Sequence, residues 1–342
     1  MNIALLGFPQ AGKKTLFTLL THRKMPPGRK EDESIEGRAP VRDPRVPAIA
    51  AIAKPKKITF AETTFVLCPD IQTSGGEREW LETARRCDAL CIVVRAFADE
   101  SVYHPAGSVN AARDRTNLRS ELLLADLELI EKRLARMAKE KRGGQTTTQA
   151  IEEQTLAKCQ GILEQDRLPS ESDLKSHELQ AIRNLGLLSL KTVMWVYNVD
   201  EKDVREQGTD PVTISAKIEE EIMGIDDPVE REAYLRELGL QSSGVDRMNR
   251  AAYESLGLMS FYTMGEDEVR AWTIHKGTLA PAAAGKIHTD IERGFIRAEI
   301  IKYDDLIAAG SEAAVKEQGK ALLKGKDYVI QDGDICFFRF SV

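Results

Sequence analysis

Gly7-Phe8-Pro9-Gln10-Ala11-Gly12-Lys13-Lys14-Thr15 is the stretch whose residue types and spacing suit chemistry on an anion. An apolar run, Asn2 to Leu6, precedes it, and a helix-forming run, Leu16 to Leu20, follows. A glycine-bounded loop with Gly-Lys, set between a buried strand and a helix, is the context of a phosphate-binding P-loop. The two glycines let the backbone aim its N–H groups at one point. The new helix adds free N–H groups and the positive end of its dipole. Lys13 brings a point charge to the outer phosphates, and Gln10, Ala11, Gly12, Lys14 and Thr15 complete the cradle. The motif asks for Ser or Thr after the lysine, to hold Mg²⁺, and here that residue is Lys14. Thr15 does not simply take over, because one helical step turns a side chain by about 100°.

These residues need a frame, and the apolar pattern supplies one. Thr64 to Cys68, Ala89 to Val94, Thr192 to Tyr197 and Pro211 to Ile214 are apolar runs of strand length. Helical stretches alternate with them, at Glu79 to Arg86, Glu230 to Leu238 and Val245 to Leu256. This alternation predicts an α/β fold with a mostly parallel sheet covered by helices. Ligands bind such a sheet at the carboxyl ends of its strands. Asn198-x-x-Glu201 and Ser215-Ala216 both fall there. An amide and an acid three apart suit a purine base, the amide bonding the ring and the acid or backbone reading its edge. Ser215 and Ala216 can close over the base with backbone N–H groups. Asn198 alone reads equally well as a helix N-cap, so the weight lies on three motifs in the right order.

The middle of the chain has another texture. Leu123, Leu127, Ile130, Leu134 and Met137 form a heptad-like stripe, and after a break at Gly143-Gly144 a second stripe carries Leu156, Cys159 and Leu163. A helical hairpin follows, with the stripe as its internal seam or as a partner surface. The hairpin is rich in Arg and Lys with interleaved acids, which reads as a solvated face or as an RNA-facing one. From Met259 short strands and turns predict a small mixed α/β domain. The polar stretch His22 to Arg45 reads as a mobile loop.

Composition narrows the class. The chain has 342 residues, 42% hydrophobic and 30% charged, enough for two or three domains. No window has the apolar length of a membrane span, and the first residues lack a signal-peptide pattern, so a cytoplasmic protein without membrane contact is expected. The five scattered cysteines, none in C-x-x-C spacing, read as buried thiols. A net charge of −6 argues against non-specific coating of nucleic acid, and no specific DNA partner is expected.

With these motifs the chain resembles the YchF / Obg-like ATPase family of P-loop proteins over nearly its whole length. The resemblance is carried by Pro40-Val41-Arg42-Asp43-Pro44-Arg45, Val94-Arg95-Ala96-Phe97 and Glu121 to Glu128. It continues in Glu268 to Thr273, Gly285 to Asp290, Gly294 to Glu299 and Gln331 to Asp334. It implies a P-loop G domain over residues 1–112 and 188–258, a helical-hairpin insertion over 113–187 and a C-terminal β-grasp (TGS) domain over 259–342. It implies ATP over GTP, because Asn-x-x-Glu stands where a guanine-reading Asn-Lys-x-Asp would; Asn198, Val199 and Glu201 match. It also implies association with the ribosome or its RNA, and a hydrolytic role for a histidine at the position of His104. Beside Pro105 that residue reads equally well as a structural loop residue.

The departures gather at the metal. Besides Lys14, Leu67 stands where the family's aspartate belongs, and Asp70 is displaced from it by three residues. The following loop is shortened to Thr73-Ser74-Gly75-Gly76, and Ser34 matches the family's switch threonine as the remaining metal-facing hydroxyl. Mg²⁺ neutralises charge in phosphoryl transfer, so losing its supports costs hydrolysis more than nucleotide binding. Two readings follow: a slow ATPase or GTPase, or a scaffold that acts through its hairpin and TGS domain without turnover.

Overall fold

The computed structural model describes residues 1–28, 30–72, 78–140, 146–170, 173–204 and 211–341. The first elements in chain order are β1 (Asn2–Leu6), α1 (Lys13–Thr21), β2 (Ile35–Val41), α2 (Arg45–Ala53), β3 (Lys57–Thr59) and β4 (Ala61–Leu67). Next come α3 (Glu79–Arg86), β5 (Ala89–Ala96), α4 (Ala111–Glu140), α5 (Thr147–Leu163) and α6 (Ser176–Ile182). Then follow β6 (Thr192–Val199), β7 (Val212–Ile214), α7 (Ala216–Met223), α8 (Pro228–Glu237) and α9 (Gly244–Ser255). The chain continues with β8 (Leu258–Met264), β9 (Glu268–His275), α10 (Ala280–Gly285), α11 (Thr289–Arg293) and β10 (Phe295–Lys302). It closes with α12 (Tyr303–Ala309), α13 (Glu312–Glu317), β11 (Leu322–Lys324) and β12 (Asp334–Phe340). The expected turn at 143–144 and the shortened loop at 73–76 lie outside the described residues.

Contacts divide the chain into two compact units, residues 1–37 with 64–245 and residues 38–63 with 246–342. The first holds a sheet of strand order β2-β4-β1-β5-β6-β7. Its pairs β1/β4, β1/β5, β5/β6 and β6/β7 are parallel. Central strands of a covered parallel sheet are buried on both faces, and Ile3 to Leu6 and Ala89 to Val94 are accordingly almost unbroken apolar runs. Leu6, Leu90, Ile92, Trp80 and Leu122 share one buried cluster, which joins the sheet to α3 and the start of α4. The helical pair has its own: Leu123, Ile130 and Met137 of α4 meet Leu156, Cys159 and Leu163 of α5. Thr146 and Gln149 form a capping box that starts α5.

The polar stretch His22 to Arg45, read as a loop, contains β2, and this is a correction. Its inward positions are Ile35, Gly37, Ala39 and Val41, with Glu36 and Arg38 facing out. Two of the four inward residues are too small to register as hydrophobic, so the period of two is weak in the sequence.

The second unit holds a mixed sheet of order β11-β10-β12-β8-β9-β3, in which β10 pairs antiparallel with β11 and β12 and β8 pairs antiparallel with β9. β3 adds to β9 in parallel. On this sheet Arg45 donates to both carboxylate oxygens of Asp43, at 3.0 and 2.8 Å, and to Asp332 at 2.7 Å. The Tyr262 hydroxyl donates to Asp43 at 2.5 Å. Burial would raise the Asp43 carboxyl, but Arg45 and Tyr262 hold it below the usual carboxylate range.

Candidate functional site

The site begins where β1 runs out. The chain turns at Gly7 with φ 149°, and a Cβ there would stand 2.3 Å from the Val93 carbonyl oxygen. Gln10 and Gly12 are left-handed, with φ of 60° and 95°. A side chain at Gly12 would meet Asn198 Nδ2 at 2.3 Å, so only glycine lets the loop lie against that amide. α1 starts at once with Lys13, which is 4% exposed.

Lys13 points back into its own loop. Its Nζ donates to the carbonyls of Gly7 at 2.8 Å and Phe8 at 2.9 Å, and pairs with Asp70 Oδ1 at 2.5 Å. An ammonium has three N–H groups, and all three are committed. Burial lowers the lysine's pKa, against the opposing pull of the Asp70 charge. Asn198, 4% exposed, is the second fixed point. Its Nδ2 donates to the Ala11 carbonyl at 3.2 Å and its Oδ1 accepts from the Ala216 N–H at 3.0 Å. One side chain at the end of β6 thereby ties the P-loop to the turn that opens α7.

A cavity of about 810 Å³ opens beside this staple. Gln10, Gly12, Thr15, Asn198, Val199, Glu201, Ser215 and Ala216, all expected at the site, lie on its wall, together with Phe97, Asp99 and Lys217. Ala11 takes part through its carbonyl. Ser215 is buried, and the Ala216 N–H, expected to meet the base, is occupied by Asn198. Glu201 pairs with Lys217 at 2.5 Å, both largely exposed, and holds that ammonium above its usual value.

Lys13 is not on this wall either, and three further expected residues stand apart from it. Lys14 is exposed and pairs with Glu31 at 3.3 Å. The Ser34 hydroxyl lies 2.9 Å from that of Thr83 on α3. His104 is buried with Nε2 3.0 Å from Asp114 Oδ2, while its Nδ1 accepts from the Ala106 N–H at 3.2 Å. That geometry braces the loop before α4 against its first turn.

Two residues named in the sequence carry roles here that their spacing did not assign. Arg95, 3% exposed, donates to the carbonyls of Asp99, Val102 and Tyr103 at 2.9, 3.0 and 3.1 Å, and its guanidinium lies 4.5 Å from the Phe97 ring centre. It shapes the loop that carries Phe97 to the cavity. Asp70 follows β4, whose parallel pairing with β1 sets Leu67 beside Leu5. That register was the available signal, because it carries the residue three past Leu67 over the P-loop.

The residues fit a purine nucleotide, with backbone and helix N-terminus for phosphates and a cavity with an aromatic wall for a base. They do not fit Mg²⁺. Lys14 carries a cation, Leu67 is apolar and buried, Ser34 is bonded to Thr83, and the Asp70 carboxylate is held by Lys13.

This is the fold and loop of a P-loop NTPase. A family model, YchF-GTPase_C, described as "Protein of unknown function (DUF933)", matches residues 258–341. The chain is 38% identical over 359 residues to the "Ribosome-binding ATPase YchF" of Pasteurella multocida, covering 99% of this chain and 98% of that one. It is 35% identical over 367 residues to the protein of the same name from Bacillus subtilis, with 100% of both covered. In structure it is similar to the Schizosaccharomyces pombe YchF GTPase, with a TM-score of 0.82 at 30% identity over 99% of this chain and 97% of that one. The chain belongs to the YchF family. Among the described residues no helix is long and apolar enough to cross a membrane.

Proposed function

We propose that this protein binds a purine nucleotide, ATP or GTP, hydrolyses it slowly, and acts in association with the ribosome in the cytoplasm. The observation that carries the nucleotide reading is the Asn198 staple, which holds the P-loop and the Ser215-Ala216 turn on one cavity. In this reading the loop N–H groups and the start of α1 take the phosphates, while Val199, Glu201, Ser215 and Phe97 enclose the base. In this reading residues 1–112 and 188–258 supply the nucleotide-binding part, apart from 38–63 and 246–258, which pack with the second unit; 113–187 are a helical arm and 259–342 a TGS domain. Slow hydrolysis follows from the poor fit to Mg²⁺ and from His104, which is not among the residues on the cavity wall. Ribosome association rests on the names of the relatives.

A second reading, a scaffold without turnover, is favoured by one observation: Lys13 has no N–H group left for a phosphate. Turnover separates the two, because only the first reading expects phosphate release that Lys13→Ala abolishes; titration with fluorescent ATP and GTP, with and without Mg²⁺, tests the binding itself. The first reading expects saturable binding that Lys13→Ala weakens by about tenfold or more. Absence of any binding leaves the scaffold. Co-sedimentation with salt-washed ribosomes tests the partner; no pelleting with or without nucleotide removes it.

A further inference from the structure

We infer that Asp70 sets the number of phosphates this site accepts: its carboxylate stands in the seat of a terminal phosphate, so the loop prefers a nucleoside diphosphate to a triphosphate. The inference rests on the nucleotide reading above and adds a specificity to it.

A P-loop lysine works between the β- and γ-phosphates. Here its Nζ already has a carboxylate oxygen at 2.5 Å in the direction left by the Gly7 and Phe8 carbonyls. That oxygen is anionic, close and aimed at the ammonium, as a γ-phosphate oxygen would be. The backbone holds Asp70 there on both sides. The Cys68 N–H donates to the Leu5 carbonyl at 3.2 Å, and the Ile71 N–H donates to the Gly7 carbonyl at 3.1 Å. Pro69 fixes one dihedral between them, and Ile71 is fully buried. The backbone at Asp70 is therefore part of the loop's frame, and its half-buried side chain leans on Lys13.

A triphosphate has two ways in. It can place its last phosphate beside the carboxylate, where two anions repel at short range next to a site largely removed from water. Or it can displace the carboxylate from Lys13, which costs the ion pair made there at 2.5 Å. The neighbouring cation, Lys14, is paired with Glu31 and faces solvent. A diphosphate avoids both. Its β-phosphate meets the loop N–H groups and the helix start, and the Lys13–Asp70 pair closes the end of the site.

The full chain is titrated with ADP, ATP, GDP and GTP by calorimetry, in Mg²⁺-free and Mg²⁺-containing buffer. The expected result is diphosphate binding tighter than triphosphate binding by about tenfold or more in both buffers. In Asp70→Asn, which keeps shape and loses charge, triphosphate affinity rises by about tenfold while diphosphate affinity stays within about twofold. The retained diphosphate binding shows that the variant is folded. If Asp70→Asn binds neither, Asp70→Gly and the wild-type ratio decide. Equal wild-type affinities for di- and triphosphates overturn the inference alone, as does a diphosphate-binding variant that gains nothing for triphosphates. Binding of no nucleotide overturns the nucleotide reading together with it.

Discussion

Asn198 concentrates much of the site in one amide. Its donor satisfies the buried Ala11 and its acceptor satisfies the half-buried Ala216. Asn198→Ala leaves both backbone groups without their partner, at about 1–3 kcal/mol for the buried Ala11 carbonyl and less for the Ala216 N–H. Urea unfolding is expected to register a loss of that order, and nucleotide affinity to fall with it, because the P-loop loses its tie to the far wall. Asn198→Asp should do no better, since a carboxylate oxygen would then face the Ala11 carbonyl oxygen. Asn198 was legible in the sequence because an amide at the end of an apolar run is a recognisable position. The Lys13–Asp70 pair was not. Sequence spacing showed Asp70 displaced from a family position, but only the parallel register of β4 against β1 turns that displacement into contact with the lysine. His104 shows the converse: its residue type suggests chemistry, and its surroundings give it a bracing contact.

At the scale of elements, periodicity decides what can be read. The stripe on α4 was visible because large apolar residues recur three and four apart, and the helix buries Leu123, Ile130 and Met137 against α5. Ile130 and Leu156 are wholly buried in that cluster, whereas Leu124 on the same helix is 47% exposed. Ile130→Ala should therefore cost about 2–5 kcal/mol, and Leu124→Ala about 0.5 kcal/mol or less. Urea midpoints of the two variants test this, and equal losses would place the seam elsewhere. Several described basic residues of the pair meet acids. Arg133 grips Glu152 at 2.7 and 3.0 Å, and Arg119 meets Asp166 at 2.6 Å. That pairing fits a solvated face better than an open RNA-binding one. Elements with weak periodicity stayed hidden, β2 behind its Gly and Ala and β3 behind its three residues. Lys57 and Ile58 of β3 are exposed, so that strand exists only through its pairing with β9.

The whole chain has two separately packed units, and the second is assembled from distant parts of the sequence. Val41, Val46, Ile49, Ala50 and Ala61 enter one buried cluster with Tyr262, Val269, Ile301 and Ile335. Asp43 and Arg45 complete the polar network around Tyr262 and Asp332. A fragment of residues 246–342 therefore lacks part of its own core. Burial of a Val or Ile side chain is worth about 1.5–3 kcal/mol, so omitting Val41, Val46 and Ile49 costs of the order of 5–9 kcal/mol by that measure. A whole domain is stable by about 5–15 kcal/mol. The same cut removes β3 and exposes the backbone edge of β9, which invites association. The isolated fragment is expected to melt well below the second unit of the full chain, or to aggregate, by circular dichroism and light scattering. Supplying residues 38–63 through a flexible linker should restore a cooperative transition. If the bare fragment melts cooperatively at the temperature of the linked form, residues 38–63 are a cover on a finished domain and not a part of its core.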